Sequence, residues 1–159
     1  MNNANTESAG RLELLTFRLG DEHYGVDILK VQEIRSCEPI TPIADTPPYV
    51  KGVINLRGMV VPIIDLRLRL NAGAGTFDTT TVVIILNLTA QVVGMIVDAV
   101  SDVAAVPAAA IKPPPGVAAG ETAGYLAGVA PLDDRMLLLM DIERLMSAPA
   151  AGTPQAAVA

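Results

Sequence analysis

Short apolar runs recur along this chain, each closed by one or two polar or turn residues, and several of them alternate strictly. In residues 14–19, Leu15, Phe17 and Leu19 fall on one face, and Leu14, Thr16 and Arg18 on the other, a period of two that predicts a strand. Gly20-Asp21-Glu22 is a turn signal, and residues 23–26 return as the second strand. Asp27 caps a helical turn over residues 28–31, and residues 32–36 form the next strand. Residues 38–46 are a connector that Pro39 and Pro42 keep extended. Thr46-Pro47-Pro48-Tyr49 starts a helical turn, with proline tolerated at its first position.

The most informative stretch is GVINLRGMVVPIIDL, residues 52–66: two apolar runs around the polar knot Asn55-Leu56-Arg57-Gly58, stopping at Asp65. It predicts a hairpin that places Arg57, rather than the commoner Asn-Gly pair, in the turn. Asp65 then caps a helix through Leu70. Residues 71–78 are a Gly/Ala loop. Residues 80–88 and 92–97 are nearly continuous in apolar side chains, which predicts strands buried on both faces. Residues 103–106 form a short strand, residues 107–120 a Pro/Ala/Gly loop, and residues 125–130 with 136–140 a second hairpin before a capped helix at 141–146.

The second hairpin echoes the first. Gly52 aligns with Gly128, Val53 with Val129, Leu56 with Leu132 and Asp65 with Asp141. Upstream, Tyr24-Gly25-Val26-Asp27 leading to Val31-Gln32-Glu33-Ile34 parallels Val93-Gly94-Met95-Ile96 leading to Val100-Ser101-Asp102-Val103. Two paired blocks in the same order predict an internal repeat, with the Pro113-Pro114-Pro115-Gly116 segment lengthening its second copy. Many short strands separated by turns predict paired small β-barrels.

Composition narrows the function. The chain has 159 residues, enough for one domain or two small ones sharing a core, and 51% of it is hydrophobic. With no Trp, three Tyr and two Phe, the core must be built from Val, Ile and Leu. A net charge of −6 argues against a nucleic-acid footprint. The single cysteine, Cys37, fits a reducing compartment, and the first ten residues lack the basic and apolar segments of a secretory signal. The expected location is the cytoplasm, with mobile tails at 1–11 and 148–159 around a domain at 12–147.

No catalytic set emerges. His23, the one histidine, has neither nucleophile nor metal spacing beside it, and reads as a strand residue. Cys37 has no companion thiol, and Gly73-Ala74-Gly75 lacks the lysine and helix of a phosphate loop. Asp65 and Asp141 read as helix caps and Asp133-Asp134-Arg135 as a charged turn. No cofactor, metal or enzymatic activity is expected. Two charges stand out. Glu33 lies between strand residues and Arg57 in the hairpin turn; each reads equally as a solvated charge or as half of a pair.

YGVDILKVQEIR, followed by PPYVKGVINLRGMVVPIIDLR and VVGMIVDAVSDV, resembles the CheW family, the coupling proteins of bacterial chemotaxis. The resemblance covers about residues 12–147. It implies an all-β fold with short helices: two intertwined five-stranded SH3-like β-barrel subdomains around a shared core. It implies a non-enzymatic adaptor that joins the cytoplasmic tips of methyl-accepting chemotaxis receptors to the regulatory domain of the histidine kinase CheA. Such an adaptor is recruited to membrane-associated receptor arrays, without inserting in the membrane. CheA and CheV also contain such domains, but the chain has no room for their phosphotransfer, ATP-binding or receiver domains. Matched residue by residue, the coupling positions are Val31, Glu33, Lys51, Gly52, Arg57, Val82, Val83, Gly94 and Val103. Glu33, in VQEI, and Arg57, in NLRG, match most clearly. Core burial competes for Val82 and Val83, and close strand approach for Gly94. Two other classes stand beside the adaptor: a ligand-binding or hydrolytic β-barrel, which needs convergent polar groups in a pocket, and a subunit that only self-associates.

Overall fold

A computed structural model of the chain describes residues 10–36, 39–70, 80–89, 91–113 and 125–147. Cys37, the Gly/Ala loop, the Pro113–Gly116 segment beyond its first residue, and residues 1–9 and 148–159 of the expected tails lie outside these residues; Arg11, expected in the N-terminal tail, instead starts the first strand. Ten strands form: β1 Arg11–Leu19, β2 Glu22–Asp27, β3 Val31–Ser36, β4 Val50–Leu56, β5 Met59–Asp65, β6 Val82–Asn87, β7 Val92–Val97, β8 Ala99–Pro107, β9 Leu126–Leu132 and β10 Arg135–Met140. Helix α1 is Leu66–Arg69 and helix α2 is Ile142–Ser147.

The strands make two five-stranded sheets, ordered β8-β1-β2-β10-β9 and β3-β6-β7-β5-β4. The repeat is present, but its two copies exchange strands. β1 and β2 of the first copy pair in the first sheet with β8, β9 and β10 of the second; β6 and β7 of the second copy complete the sheet of β3, β4 and β5. The junctions are parallel, Leu139 opposite Gly25 in one sheet and Ile63 opposite Gly94 in the other. Neither sheet closes by a full ladder. One isolated bridge links each outer edge to the chain leaving the opposite edge strand, Thr41 to Val53 and Lys112 to Val129. The sheets are therefore SH3-like and nearly closed.

Central strands serve two cores at once. Leu15, Phe17 and Leu19 of β1 and Ile84 and Leu86 of β6 face a cluster shared by both sheets. The opposite face of β6 and β7, through Val83, Ile85 and Ile96, fills a cluster inside the second sheet. Leu14, Leu137 and Leu139 do the same, more sparsely, inside the first. This double burial is why residues 82–86 are apolar without alternation.

Gly52 sits where the chain has no space for a side chain. Its φ is 140° and an added Cβ would lie 1.9 Å from the Thr41 carbonyl oxygen, the bridge that nearly closes the second sheet.

Three expectations are corrected. The strand placed at 103–106 is β8, nine residues long; its polar Ser101-Asp102 centre masks the pattern, while the ladder to β1 and a bulge near Thr16 carry it. The segment at Pro47 makes one hydrogen-bonded turn, Val50 N to Pro47 O at 2.9 Å, and no helix. β4 starts at once, and the Tyr49 carbonyl accepts from the Asp65 amide at 2.7 Å. Residue 31, expected to end a helical turn, starts β3; that turn is a 3-10 helix, Ile28–Lys30, capped by Asp27.

Two polar clasps hold the sheets together, and they occupy equivalent places in the repeat with opposite charge. Arg67 of α1 is 1% exposed. Its Nε and Nη2 donate to the two carboxylate oxygens of Asp65 at 2.9 Å each, and its Nη1 to Asp98 at 3.0 Å. Asp98 in turn accepts from the Gly20 amide at 2.7 Å, tying α1 to the β7–β8 and β1–β2 turns. At the position of Arg67 in the second copy stands Glu143 of α2. It accepts from Lys30 Nζ at 2.8 Å and from the Thr89 amide and hydroxyl at 3.1 and 2.9 Å. The first clasp is buried; the second is partly exposed.

Candidate functional site

Arg57 and Gly58 form the two-residue turn between β4 and β5, with Leu56 opposite Met59. Both have positive φ, 52° and 89°, as a type I′ hairpin turn requires. Asn55 stabilises the turn by accepting from the Gly58 amide at 2.8 Å. The turn thrusts the Arg57 side chain outward, 64% exposed.

Arg57 Nη2 donates to Glu33 Oε2. Glu33 lies on β3, at one edge of the second sheet, and Arg57 at the tip of the hairpin on the other edge. The ion pair therefore spans the open seam of that sheet, alongside the Thr41–Val53 bridge. Arg35, two residues on along β3, donates to the other Glu33 oxygen at 3.2 Å. The Arg57 contact, seconded by Arg35, holds the Glu33 carboxyl below the usual carboxylate range. Arg35 was not singled out from sequence, although its spacing from Glu33 on an alternating strand puts both on one face.

The other expected coupling positions, Val103 excepted, gather on the same sheet. Glu33, Ile85, Gly94, Ile63 and Gly52 form one continuous cross-strand row. Gly94 is the hollow of that row: a Cβ there would stand 2.5 Å from Ile63 Cδ1 and 2.9 Å from Val83 Cγ1. Val83 is buried and packs in the sheet's interior cluster, so Val83 and Gly94 shape the sheet under the seam rather than presenting a surface. Val82 and Val31 are half-buried against the shared core. Lys51 is half-buried at a bulge in β4 beside Gly52. Val103 is apart from these, exposed on β8 of the first sheet, at the repeat position of Ile34 on β3. Ile34, Met59 and Val60 are also exposed, on β3 and just after the Arg57 turn, and sequence reasoning passed over them as ordinary strand residues.

His23 is half-buried on β2, and burial together with Arg135 and Arg18 holds its pKa below the usual value. Asp65 caps α1 through the Arg67 amide at 3.1 Å, and Asp141 caps α2 through the Arg144 amide at 3.1 Å. Among the described residues no group of three His, Cys, Asp or Glu side chains could hold a metal ion. No helix among them is long and apolar enough to cross a membrane.

These features define a class: an internally duplicated all-β protein of two strand-exchanged SH3-like sheets sharing one core. Within that class the chain belongs to the CheW family. The CheW-like domain model matches residues 13–150. The chain is 51% identical over 141 residues to the chemotaxis protein CheW of Klebsiella aerogenes, covering 89% of this chain and 84% of that one. It is 40% identical to the CheW of Rhizobium meliloti, over 84% of this chain and 86% of the relative. The crystal structure of the scaffolding protein TtCheW from Thermoanaerobacter tengcongensis superposes with a TM-score of 0.76 at 36% identity, over 81% of this chain and 88% of that one.

Proposed function

We propose that the chain is a non-enzymatic chemotaxis adaptor that holds the cytoplasmic tips of methyl-accepting receptors and the histidine kinase CheA together in a signalling array. The observation that carries this reading is the surface ion pair at the seam of the second sheet, Arg57 with Glu33, in a chain of the CheW family. Most of the remaining coupling positions, Val31, Lys51, Gly52, Val82, Val83 and Gly94, lie on the strands that build and support that seam; Val103 lies on the first sheet. Arg57 offers what a partner carboxylate or carbonyl needs, a planar fork on an exposed rigid turn. The Asn55 side chain and the packed row below Glu33 keep the turn in place. Two modest docking surfaces on one rigid body raise the effective concentration of one partner for the other, without a tight single contact.

The test is calorimetric titration of a purified receptor cytoplasmic fragment into the parent chain and into Arg57→Ala. Binding by the parent that weakens in the variant, with circular dichroism unchanged, supports the seam as the receptor surface. Equal affinity for both would remove the seam from that role.

A further inference from the structure

The interiors of the two sheets are not alike, and the difference lies at one end of the first. On β1, β2 and β10 the side chains that face the small inner cluster run Leu14, Thr16, Arg18; Gly25, His23; and Leu139, Leu137, Arg135. Arg18 is directly opposite His23, and Leu137 opposite His23 on the other side. Arg135 follows on the same face, with Nη1 3.4 Å from His23 Nδ1. Three basic side chains thus converge where the inner cluster ends, in a chain whose net charge is −6.

The repeat does not require them. The equivalent positions of the second sheet hold Asn87 opposite Val92, with Met59 across the turn, none of them charged. Among the described residues their charges are only weakly compensated. Arg18 Nη1 donates to the Gly20 carbonyl at 2.9 Å, an uncharged partner. Arg135 reaches Asp134 at 3.8 Å through a carboxylate that is 90% exposed. The nearby Glu22 is engaged by the Tyr24 hydroxyl at 2.8 Å, and Asp98 by Arg67 and the Gly20 amide. Asp21 and Asp133 are exposed in the turns. Burial, and then the Arg135 and Arg18 guanidinium groups, disfavour the charged form of His23, and an anion among them would relieve that repulsion.

We infer that Arg18, His23 and Arg135 form a binding site for an oxyanion, a carboxylate or phosphate group. Two guanidinium groups supply forked donors and His23 supplies a ring nitrogen that donates when protonated. Binding is linked to protonation: the anion favours His23 in its charged form, so affinity rises as pH falls through the histidine's range.

The experiment monitors the His23 ring by NMR in the full chain. The chain is titrated with inorganic phosphate and, separately, with a hexaglutamate peptide, each against sodium chloride at matched ionic strength. The expected result is a saturable rise of the His23 pKa by about one pH unit, abolished in Arg135→Gln and Arg18→Gln. Saturation by phosphate alone identifies a small-anion site, and saturation by the peptide a pocket for a partner's acidic side chain. Arg135 is exposed, so Arg135→Gln keeps the fold and tests the site even if Arg18→Gln does not. A His23 response no greater than that to chloride, or one unchanged in Arg135→Gln, overturns the assignment.

Discussion

Arg57 holds a left-handed backbone position at φ 52° and still reaches Glu33 across the seam. Arg57→Ala keeps the turn's strain and removes the fork. Receptor-fragment affinity should fall on the order of 30-fold or more. Arg57→Lys should also bind weakly, since an ammonium cannot donate as a planar fork. The Glu33→Ala, Arg57→Ala double variant should lose less than the sum of the singles, because one contact is removed twice. Affinities at fixed salt, with melting curves alongside, decide this. Additive losses would mean that the two residues act separately. The charge at the turn was legible because an arginine in a hairpin turn between apolar strands is conspicuous. Its pairing with Glu33 was legible only as one of two readings, and the structure bears it out: the two residues are far apart in sequence and meet through the curl of the sheet. Arg67 and Arg69 were hidden for a different reason. They read only as charged residues of a short capped helix, yet Arg69 is buried between the rings of Tyr49 and Tyr125, at 5.2 and 4.7 Å, and donates to the Tyr125 hydroxyl.

At the scale of elements, the central strands carry the stability. Ile84 is fully buried in the core that both sheets share, so Ile84→Ala should cost about 2–5 kcal/mol in urea unfolding. A midpoint equal to the parent's would place residues 82–86 outside the core. Gly52→Ala should be harmful for another reason, since it puts a Cβ against the Thr41 carbonyl and forces φ 140° on an L-residue. Loss of protection at the Thr41 and Val53 amides in hydrogen exchange would report the broken bridge; protection equal to the parent's would show that the bridge accommodates a methyl. Strand positions were legible wherever burial is one-sided or total. β8 was under-read because its middle is polar and its pairing with β1 contains a bulge. The turn at Pro47 was over-read as helical, because a proline pair marks a chain reversal without fixing the conformation of the residues after it.

At the scale of the whole molecule, the Glu143 clasp and the Glu33–Arg57 pair predict how stability varies with pH. Lys30 lowers the pKa of Glu143, and Arg57 that of Glu33. A depressed folded pKa contributes stability that is fully present above the unfolded carboxyl value, about 4.3. That stability is lost as pH falls through the lower folded values. The melting temperature should therefore drop below about pH 4, and Glu143→Gln should flatten the acid limb; an unaltered limb would remove Glu143 from it. Arg67→Ala strands Asp65 in the core and should cost about 3–5 kcal/mol, whereas Lys30→Ala, at a partly exposed pair, should cost far less. Comparable losses for the two would mean that burial does not separate the clasps. The repeat was legible in the paired glycines and acids. The exchange of strands between its copies came only from the family resemblance, as intertwined subdomains, since one repeat sequence by itself is compatible with two self-contained sheets or two shared ones.

Adaptor function is a property of the whole molecule, and bridging measures it directly. Receptor cytoplasmic fragment, immobilised, is incubated with purified CheA in the presence and absence of the chain, and the CheA retained is quantified. The account predicts that CheA retention rises with added chain, passes through a maximum as excess adaptor saturates each partner separately, and falls in Arg57→Ala. Retention of CheA that does not depend on the chain at any concentration would contradict it.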